Sequence, residues 1–259
     1  MVGAVILAGG LTDGELLETT RTREKALIAI QGRTMLDYVI EAVTSCPAIG
    51  EVVIACPPDF EVARRDWGGI PHTPAQGPDP IDSIVAGAQA LRAADTVLMC
   101  ACDLPLLTPE ALAQFVSEGL EAGADCCYPM IAKQAVEAEF PGCPRTYIRF
   151  RDGRFTSGNI ALVARGFVVD HREKIHQAFG LRKSPLKVAS LLGPMTVLGL
   201  ALGVTSMARL AERVGKSADC SIAVIECRHA EIAFDVDKPS DLELVEQVLA
   251  SRRPGRGRG

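Results

Sequence analysis

Aromatic residues are scarce in this 259-residue chain. Phe, Trp and Tyr make up 5% of the sequence, with a single tryptophan, whereas 48% of all residues are hydrophobic. The hydrophobic residues are mainly Val, Ile, Leu and Ala, a composition typical of parallel sheets covered by helices. The length fits one large α/β domain or two small ones.

The chain also lacks an excess of positive charge. Its formal net charge is −5, and this mild acidity argues against a nucleic-acid-binding protein. The one basic cluster lies at the end of the sequence, where Arg alternates with Gly and Pro. We therefore expect a disordered basic tail over residues 251–259.

Export and zinc signals are missing as well. The sequence begins with a strand-like run, MVGAVILAGG, and not with a basic segment followed by an apolar region and a cleavage site. Nine cysteines, an odd number, are scattered through apolar runs without any CxxC motif, so a zinc site is disfavoured. These features predict a cytoplasmic protein in a reducing compartment.

One stretch is long and uncharged enough to raise the question of a membrane. No charged residue occurs from Val188 to Ala208, a length that could span a bilayer. Pro194 and several glycines would break such a helix, so we expect a buried helix, a turn and a short strand instead. Apolar surface in residues 186–204 leaves a homodimer open.

The most informative segment is a buried strand that ends in one carboxylate. Val97 to Cys102 is an apolar run, directly followed by Asp103. Thr108 and Pro109 then predict the start of a helix. Asp103 therefore lies at the carboxyl end of a central strand, where open α/β sheets bind ligands. A capping role for Asp103 in the next helix remains open.

A glycine turn follows the first strand. Leu7-Ala8-Gly9-Gly10 would let backbone N–H groups approach a phosphate or a nucleobase edge, although an ordinary turn is the alternative. Residues 11–24 are polar and predict a loop carrying Arg21 and Arg23. Lys25 comes next, either as a phosphate ligand or as a solvated surface charge.

The remaining pattern alternates strands with helices, as in a parallel sheet with crossover helices. A hairpin is predicted at Asp152-Gly153. We expect one domain over residues 1–250, with an inserted, acceptor-facing region at about 130–220. The expected elements are helices at Met35–Thr44, Pro80–Ala94 and Gly166–Phe179, strands at Glu51–Cys56, Asp125–Ile131, Ile160–Ala164, Ser221–Cys227 and Ile232–Val236, and a last helix capped by Ser240.

Four motifs occur in a fixed order and together resemble the MobA-like nucleotidyltransferases. They are LAGG at 7–10, Lys25-Ala26-Leu27 with a helix after Gly32, CDLPL at 102–106, and DVDKPSDL at 235–242. The resemblance implies a GT-A-type fold: an α/β three-layer sandwich with a mostly parallel central sheet. It also implies an enzyme that moves an NMP from an NTP to a small acceptor and releases pyrophosphate.

The resemblance also assigns roles to residues. Leu7, Ala8, Gly9 and Gly10 would hold the nucleotide, Lys25 its phosphates, and Ser83 would line the base pocket. Asp103 and Asp237 would bind Mg²⁺, and Asn159 would face the acceptor. Residues 11–24 are longer than in the family and lack its Arg-Met-Gly, so Arg23 or Arg21 is expected to replace the family's arginine.

The expected substrates are CTP or GTP and a phosphorylated or cofactor-like small molecule, with no nucleic acid or membrane as partner. A GT-A glycosyltransferase is one alternative, although it would usually carry Asp-x-Asp after the central strand, where this chain has Asp103-Leu104-Pro105. A non-catalytic nucleotide-binding or regulatory protein is the other, because the first loop departs from the family pattern. Asp235 and Asp237 could also be a helix-capping cluster.

Overall fold

The computed structural model describes residues 1–75, 80–173, 175 and 193–252. The strands in these ranges are β1 Val2–Leu7, β2 Ala29–Ile30, β3 Arg33–Thr34, β4 Ile49–Cys56, β5 His72–Pro74, β6 Thr96–Ala101, β7 Cys126–Ala132, β8 Ile148–Phe150, β9 Gly153–Ser157, β10 Ile160–Ala164 and β11 Ile222–Cys227. The helices are α1 Gly14–Thr20, α2 Met35–Thr44, α3 Pro80–Ala90, α4 Pro109–Ala122, α5 Lys133–Glu139, α6 Arg165–Asp170, α7 Pro194–Ala201, α8 Met207–Ala218 and α9 Pro239–Arg252.

One mixed sheet forms the centre of the fold. Its strand order is β5-β4-β1-β6-β10-β7-β9-β8, and β11 pairs with β7. Strands β5, β4, β1 and β6 are mutually parallel. Strand β10 is antiparallel to both β6 and β7, and the β8–β9 hairpin is also antiparallel. The parallel half is the part that the alternation of strands and helices predicted.

Helices cover both faces of this sheet. Val5 and Met99 belong to the apolar cluster under α3 and α6, whereas Ile6 and Leu98 belong to the larger cluster that includes α2 and α4. Neighbouring residues of β1 and β6 are therefore buried on opposite faces, as expected for strands between two helical layers. The predicted α/β three-layer sandwich is confirmed.

The register of the parallel strands places several chain turns at one edge. Leu7 of β1 pairs with Ala101 of β6 on one side and with Ala55 of β4 on the other. Since these residues end their strands together, Ala8-Gly9-Gly10 and Cys102-Asp103 leave the sheet side by side. The residue before β10, Asn159, also lies at this edge, because Ile160 pairs with Cys100.

Local capping explains where two of the helices, α2 and α4, begin. Thr34 accepts a hydrogen bond from the N–H of Asp37, while the Asp37 carboxylate accepts one from the Thr34 N–H, which completes a capping box for α2. Thr108 caps α4, with Pro109 as its first residue. The predicted helix Met35–Thr44 is confirmed.

The first loop differs from its prediction. Residues 11–24 contain helix α1, whose Leu16 is buried. The two ends of this segment pair with each other, since the Thr12 N–H donates to the Arg23 carbonyl at 2.9 Å and Leu11 bridges Glu24. The segment is mostly polar and therefore did not predict a helix. Burial of one residue, Leu16, is enough to pack α1 against the rest of the protein.

Two predictions near the end of the chain are wrong. The segment Ile232–Val236, expected as a strand, instead begins within a 3-10 helix at Ala230–Ala233 and continues as irregular chain. Helix α9 begins at Pro239, so Ser240 is not its cap. Asp241, in the first turn of α9, reaches back instead, because its Oδ2 accepts hydrogen bonds from the N–H groups of Asp237 and Lys238, which precede the helix.

Helix α9 also extends two residues past the boundary predicted at residue 250. Arg252 donates a hydrogen bond to the Leu106 carbonyl at 3.0 Å, which ties the last turn of the helix to the loop after β6. The rest of the predicted tail, residues 253–259, lies outside the described residues.

The inserted region contains more helix than predicted. Helix α5 follows β7 directly, and the hairpin predicted at Asp152-Gly153 joins β8 to β9. The short strand expected after α7 is not found, since the described chain between α7 and α8 contains no strand. The helix predicted at Gly166–Phe179 is described as α6, and its remainder falls mostly outside the described residues.

No helix in the described ranges is long and apolar enough to cross a bilayer. In α7 and the turn after it, Met195, Leu198, Leu202 and Val204 are exposed. Residues 186–192 lie outside the described part of the chain. The homodimer suggested by this stretch stays a prediction.

Candidate functional site

Lys25 lies between two carboxylates at the carboxyl edge of the sheet. Its Nζ donates to Asp103 Oδ2 at 2.6 Å and to Asp237 Oδ1 at 2.5 Å. The Lys25 side chain is 12% exposed and that of Asp103 is 15% exposed, whereas Asp237 is open to solvent. The structure thus brings together the three residues that the sequence predicted as the centre of a site.

The backbone around Lys25 fixes its position. Its N–H donates to the carbonyl of Gly10 at 3.0 Å, which joins the glycine turn to the short 3-10 helix Lys25–Leu27. The preceding Glu24 carboxylate accepts hydrogen bonds from the N–H groups of Glu61 and Val62 at 2.6 and 2.9 Å. The position of Lys25 is therefore fixed by its own bond to Gly10 and by the bonds of the preceding Glu24. The two ends of the segment 11–24 pair with each other outside the site.

The glycine turn is packed closely against its neighbours. A Cβ added at Gly9 would lie 3.2 Å from Pro57 Cδ and 3.8 Å from the Oγ of Ser83. Ala8 is fully buried and continues the ladder, since its N–H donates to the Ala55 carbonyl at 2.8 Å. Ser83 lies in the first turn of α3, so this helix begins next to the glycine turn.

A third acid joins the cluster. Ligand oxygens of Asp103, Asp235 and Asp237 lie within 4.8 Å of one another. The backbone holds the two segments together, because the Val236 N–H donates to the Asp103 carbonyl at 3.2 Å. Sequence analysis did not assign Asp235 to the site, although its spacing of two residues from Asp237 was a usable signal.

Burial and charge shift the pKa values in this cluster. Burial and the neighbouring charges of Asp237 and Asp103 raise the pKa of Asp235 to about 6. Burial also acts to raise the pKa of Asp237, but the hydrogen bond and charge of Lys25 outweigh it and leave that pKa lowered. Burial acts to lower the pKa of Lys25, yet Asp103 and Asp237 raise it above its usual value.

The donor set of this cluster fits a hard divalent cation. Carboxylate oxygens are the ligands that Mg²⁺ prefers. Asp103 Oδ1 is buried and has no hydrogen-bond partner in the described part of the chain, and a buried acceptor without a partner is costly. Lys25 and Arg145 supply two positive charges to the three carboxylates, so the site still has acceptor capacity for a cation.

Two predicted residues have other surroundings. The Arg23 side chain is exposed and makes no hydrogen bond or ion pair with the residues that the structure describes, so it lies outside the cluster. Asn159 is half-buried, and its backbone connects the site's segments: its N–H donates to the Ile232 carbonyl and its carbonyl accepts from Ala101. Gly158 permits this approach, since a Cβ there would lie 2.6 Å from Ile232 Cγ2.

Arg145 is the other residue that sequence analysis missed. It donates to the Oδ1 and to the carbonyl of Asp235, both at 3.1 Å. The two residues are 90 positions apart in the sequence, and no local pattern around Arg145 indicates this pairing. Only the folded arrangement of the inserted region could reveal it.

Known proteins similar to this chain include nucleotidyltransferases. The chain matches the profile of the MobA-like NTP transferase domain over residues 4–190. It is 28% identical to a 2-C-methyl-D-erythritol 4-phosphate cytidylyltransferase of Frankia casuarinae, over 89% of this chain and 76% of that protein. It is 32% identical to a probable molybdenum cofactor guanylyltransferase of Trichormus variabilis, over 44% of this chain and 51% of that protein.

Solved structures with the same fold include nucleotidyltransferases. A hypothetical transferase from Thermus thermophilus superposes with a TM-score of 0.79 at 30% identity, covering 93% of this chain and all of that one. A CMP:2-keto-3-deoxy-manno-octonic acid synthetase in complex with CTP gives a TM-score of 0.63 at 19% identity, covering 96% and 98% of the two chains. With its family profile and its fold in agreement, the chain belongs to the MobA-like NTP transferase family and is a nucleotidyltransferase.

Proposed function

We propose that this protein moves an NMP from CTP or GTP to a small phosphorylated or cofactor-like acceptor, with Mg²⁺ held by Asp103 and Asp237. The observation that carries the proposal is the position of Lys25. Its ammonium lies between carboxylates from two separate segments and directly beside the glycine turn. A nucleotide bound at that turn would have its phosphates next to Lys25.

The choice of base rests on the relatives. One is named as a cytidylyltransferase, another as a probable guanylyltransferase, and one fold neighbour is a synthetase in complex with CTP. The acceptor differs among these names, so it is defined here only by its chemistry. The acceptor supplies an oxygen that attacks the α-phosphorus, and pyrophosphate leaves with the bonding electrons of the broken P–O bond.

The chain's own residues would mainly bind and orient the two substrates. The backbone of Gly9 and Gly10 is open to the nucleotide, since neither carries a side chain. Lys25 would neutralise phosphate charge as a point cation. A bound Mg²⁺ supplies further neutralisation of the phosphates. If the acceptor is itself a phosphate, its oxygen is already ionised and no general base is needed.

The test is thermal unfolding with each of the four NTPs, with and without Mg²⁺. Ligand at about 100 times its dissociation constant stabilises by roughly 2.7 kcal/mol, which raises the Tm of a protein of this size by about 5–10 °C. We expect a Mg²⁺-dependent shift with CTP or GTP that Asp103→Asn abolishes. Pyrophosphate release with phosphorylated acceptors then reports turnover.

Asp95→Asn is the matched control. Asp95 is exposed and directly precedes β6, so it lies at the opposite end of the strand that leads to Asp103. This variant should keep the full nucleotide shift. No shift with any NTP in the folded wild-type protein, or an equal shift in Asp103→Asn, would contradict the proposal.

A further inference from the structure

Arg145 connects the inserted region to the segment that carries two of the three acids. It lies between α5 and β8, and its side chain is 12% exposed. One guanidinium nitrogen reaches Asp235 Oδ1, and the other donates to the Asp235 carbonyl. The guanidinium carbon also lies over the Phe234 ring, 4.3 Å from its centre, a cation–π contact that helps to fix the side chain.

Asp241 is the second member of this connection. Its side chain is 2% exposed, and its Oδ1 lies 3.9 Å from Arg145 Nη2. Its other oxygen, Oδ2, accepts hydrogen bonds from the N–H groups of Asp237 and Lys238 at 3.1 and 3.2 Å. Arg145 therefore binds the backbone before Asp237, and Asp241 binds it at Asp237 and at the next residue.

We infer that Arg145 and Asp241 are positioning residues that fix Asp237 for metal binding and keep Asp235 engaged away from the ion. This inference rests on the proposed function, because it needs Asp103 and Asp237 to bind the metal. Asp237 itself is largely exposed, with 64% of its side chain open to solvent, and its carboxylate forms an ion pair with Lys25. Its position relative to Asp103 therefore depends on its backbone, which Arg145 and Asp241 hold together with the hydrogen bond from the Val236 N–H to the Asp103 carbonyl.

The charge of Arg145 has a second effect on the cluster. Three carboxylates within 4.8 Å repel one another, and Arg145 is paired with Asp235 at 3.1 Å. Without it, Asp235 would be a free, partly buried carboxylate beside the two ligands. It would then compete for the incoming ion or displace Asp237, because all three acids can reach the same point.

The test measures binding of Mn²⁺ in the presence of CTP and, separately, GTP, by electron paramagnetic resonance. The variants are Arg145→Met, Arg145→Lys and Asp241→Asn, each checked for its Tm without ligand. We expect Mn²⁺ affinity to fall about tenfold or more in Arg145→Met and in Asp241→Asn. Arg145→Lys should lose less than Arg145→Met, since it keeps the charge but not the two-pronged donor geometry.

Arg65→Met is the control for loss of an arginine. Arg65 forms an exposed ion pair with Glu61 one helical turn away and should leave Mn²⁺ binding unchanged. A purely structural role for Arg145 would lower the Tm and leave the Mn²⁺ affinity of the folded protein intact. If Arg145→Met does not fold, the Mn²⁺ affinities of Arg145→Lys and Asp241→Asn are compared with that of the wild-type protein.

Asp103→Asn distinguishes a failure of the positioning inference from a failure of the metal assignment. If Asp103→Asn loses Mn²⁺ binding while both Asp241→Asn and the folded Arg145 variants stay within twofold of wild type, the positioning inference is wrong and the metal assignment stands. If Asp103→Asn also binds Mn²⁺ normally, the metal assignment itself is wrong.

Discussion

Lys25 places an ammonium group where a metal ion would sit. Its Nζ contacts one oxygen of Asp103 and one of Asp237, the two residues proposed as metal ligands. A lysine and a divalent ion cannot both occupy this point. Nucleotide phosphates offer the ammonium another partner, so nucleotide binding would free the two carboxylates for the ion.

Lys25→Gln tests this competition. We expect the variant to bind Mn²⁺ without nucleotide about tenfold more tightly than wild type, a difference of about 1.4 kcal/mol, because the competing cation is gone. Nucleotide affinity and turnover should fall at the same time. Isothermal titration with Mn²⁺ alone measures the first effect, and the NTP-dependent Tm shift measures the second.

Lys133→Gln is a suitable control, since Lys133 forms an ion pair with Glu137 on its own helix turn and lies over the Tyr147 ring, and the substitution should change neither quantity. Unchanged or weaker binding of Mn²⁺ to Lys25→Gln would show that the ammonium does not occupy the metal position.

Single residues differ in how far their roles were readable from sequence. Asp103 was found because an apolar strand ends at it, and Asp237 and Lys25 because they belong to ordered motifs. Asp235 shares the motif of Asp237 and was overlooked. Arg145 could not be found, because its partners are set by the path of the inserted region and not by neighbouring residues.

At the scale of single elements, α3 packs against β1 through a glycine. A Cβ at Gly87 would lie 2.7 Å from Val5 Cγ2 and 3.1 Å from Val5 Cβ. Valine is branched at Cβ and cannot swing aside. Helix α3 can therefore pack this closely against β1 only with a glycine at position 87.

We expect Gly87→Ala to destabilise the protein. Alanine favours the helix by about 1 kcal/mol, but overpacking a buried site typically costs about 1–3 kcal/mol, so the net loss should be up to about 2 kcal/mol. Urea unfolding of Gly87→Ala and wild type measures the difference.

Gly166→Ala provides the comparison in another helix. Gly166 is exposed in α6, and among the described residues a Cβ there would meet Asp170 Oδ2 alone, at 3.8 Å. That variant should be neutral or slightly stabilising. A gain in stability for Gly87→Ala would mean that the helix and strand can move apart at little cost.

Elements were predictable where the signal was local. Helix α2 has a cap, an amphipathic face and a defined end, and its bounds were predicted correctly. The segment 232–236 is apolar enough for a strand, yet its backbone bonds to Asn159 and Asp103 instead of to a neighbouring strand along its length. Apolar composition indicates that a segment is buried, and this segment is buried without pairing as a β-strand.

At the scale of the whole molecule, the reactivity of the cysteine thiols shows whether the core is folded. Six of the nine cysteines are buried, and Cys126, Cys143 and Cys220 are partly buried. Burial raises the pKa of Cys56 to about 11 and that of Cys227 to about 12. Cys126 is only partly buried by surface area, but burial also raises its pKa to about 12. The thiolates of these residues are therefore suppressed at neutral pH.

We expect a thiol reagent at pH 8 to label Cys143 and Cys220 first in the native protein. Both are partly exposed. The other seven should react only as the protein unfolds, and all nine should react in denaturant. Cys143→Ser should remove one fast-reacting thiol. Rapid labelling of Cys56 or Cys227 in the folded protein would contradict this burial.

The sheet as a whole was only half predictable. Alternating strands and helices predict parallel pairing, which holds for β5, β4, β1 and β6. The insertion of antiparallel β10 between β6 and β7 depends on contacts between distant segments. An alternating pattern cannot specify such a reversal, since a strand's own residues do not encode the direction of its partner.

The spacing of the site along the chain also bears on how the protein is made. Lys25 is 78 residues from Asp103 and 212 residues from Asp237. During synthesis at about 5–20 residues per second, Asp237 leaves the ribosome roughly 10–40 s after Lys25. Until then the first half of the chain can form its parallel strands and glycine turn but has only one of the two proposed metal ligands. Nascent chains would thus be unable to assemble the site, and catalytic competence would be among the last properties that each new molecule acquires.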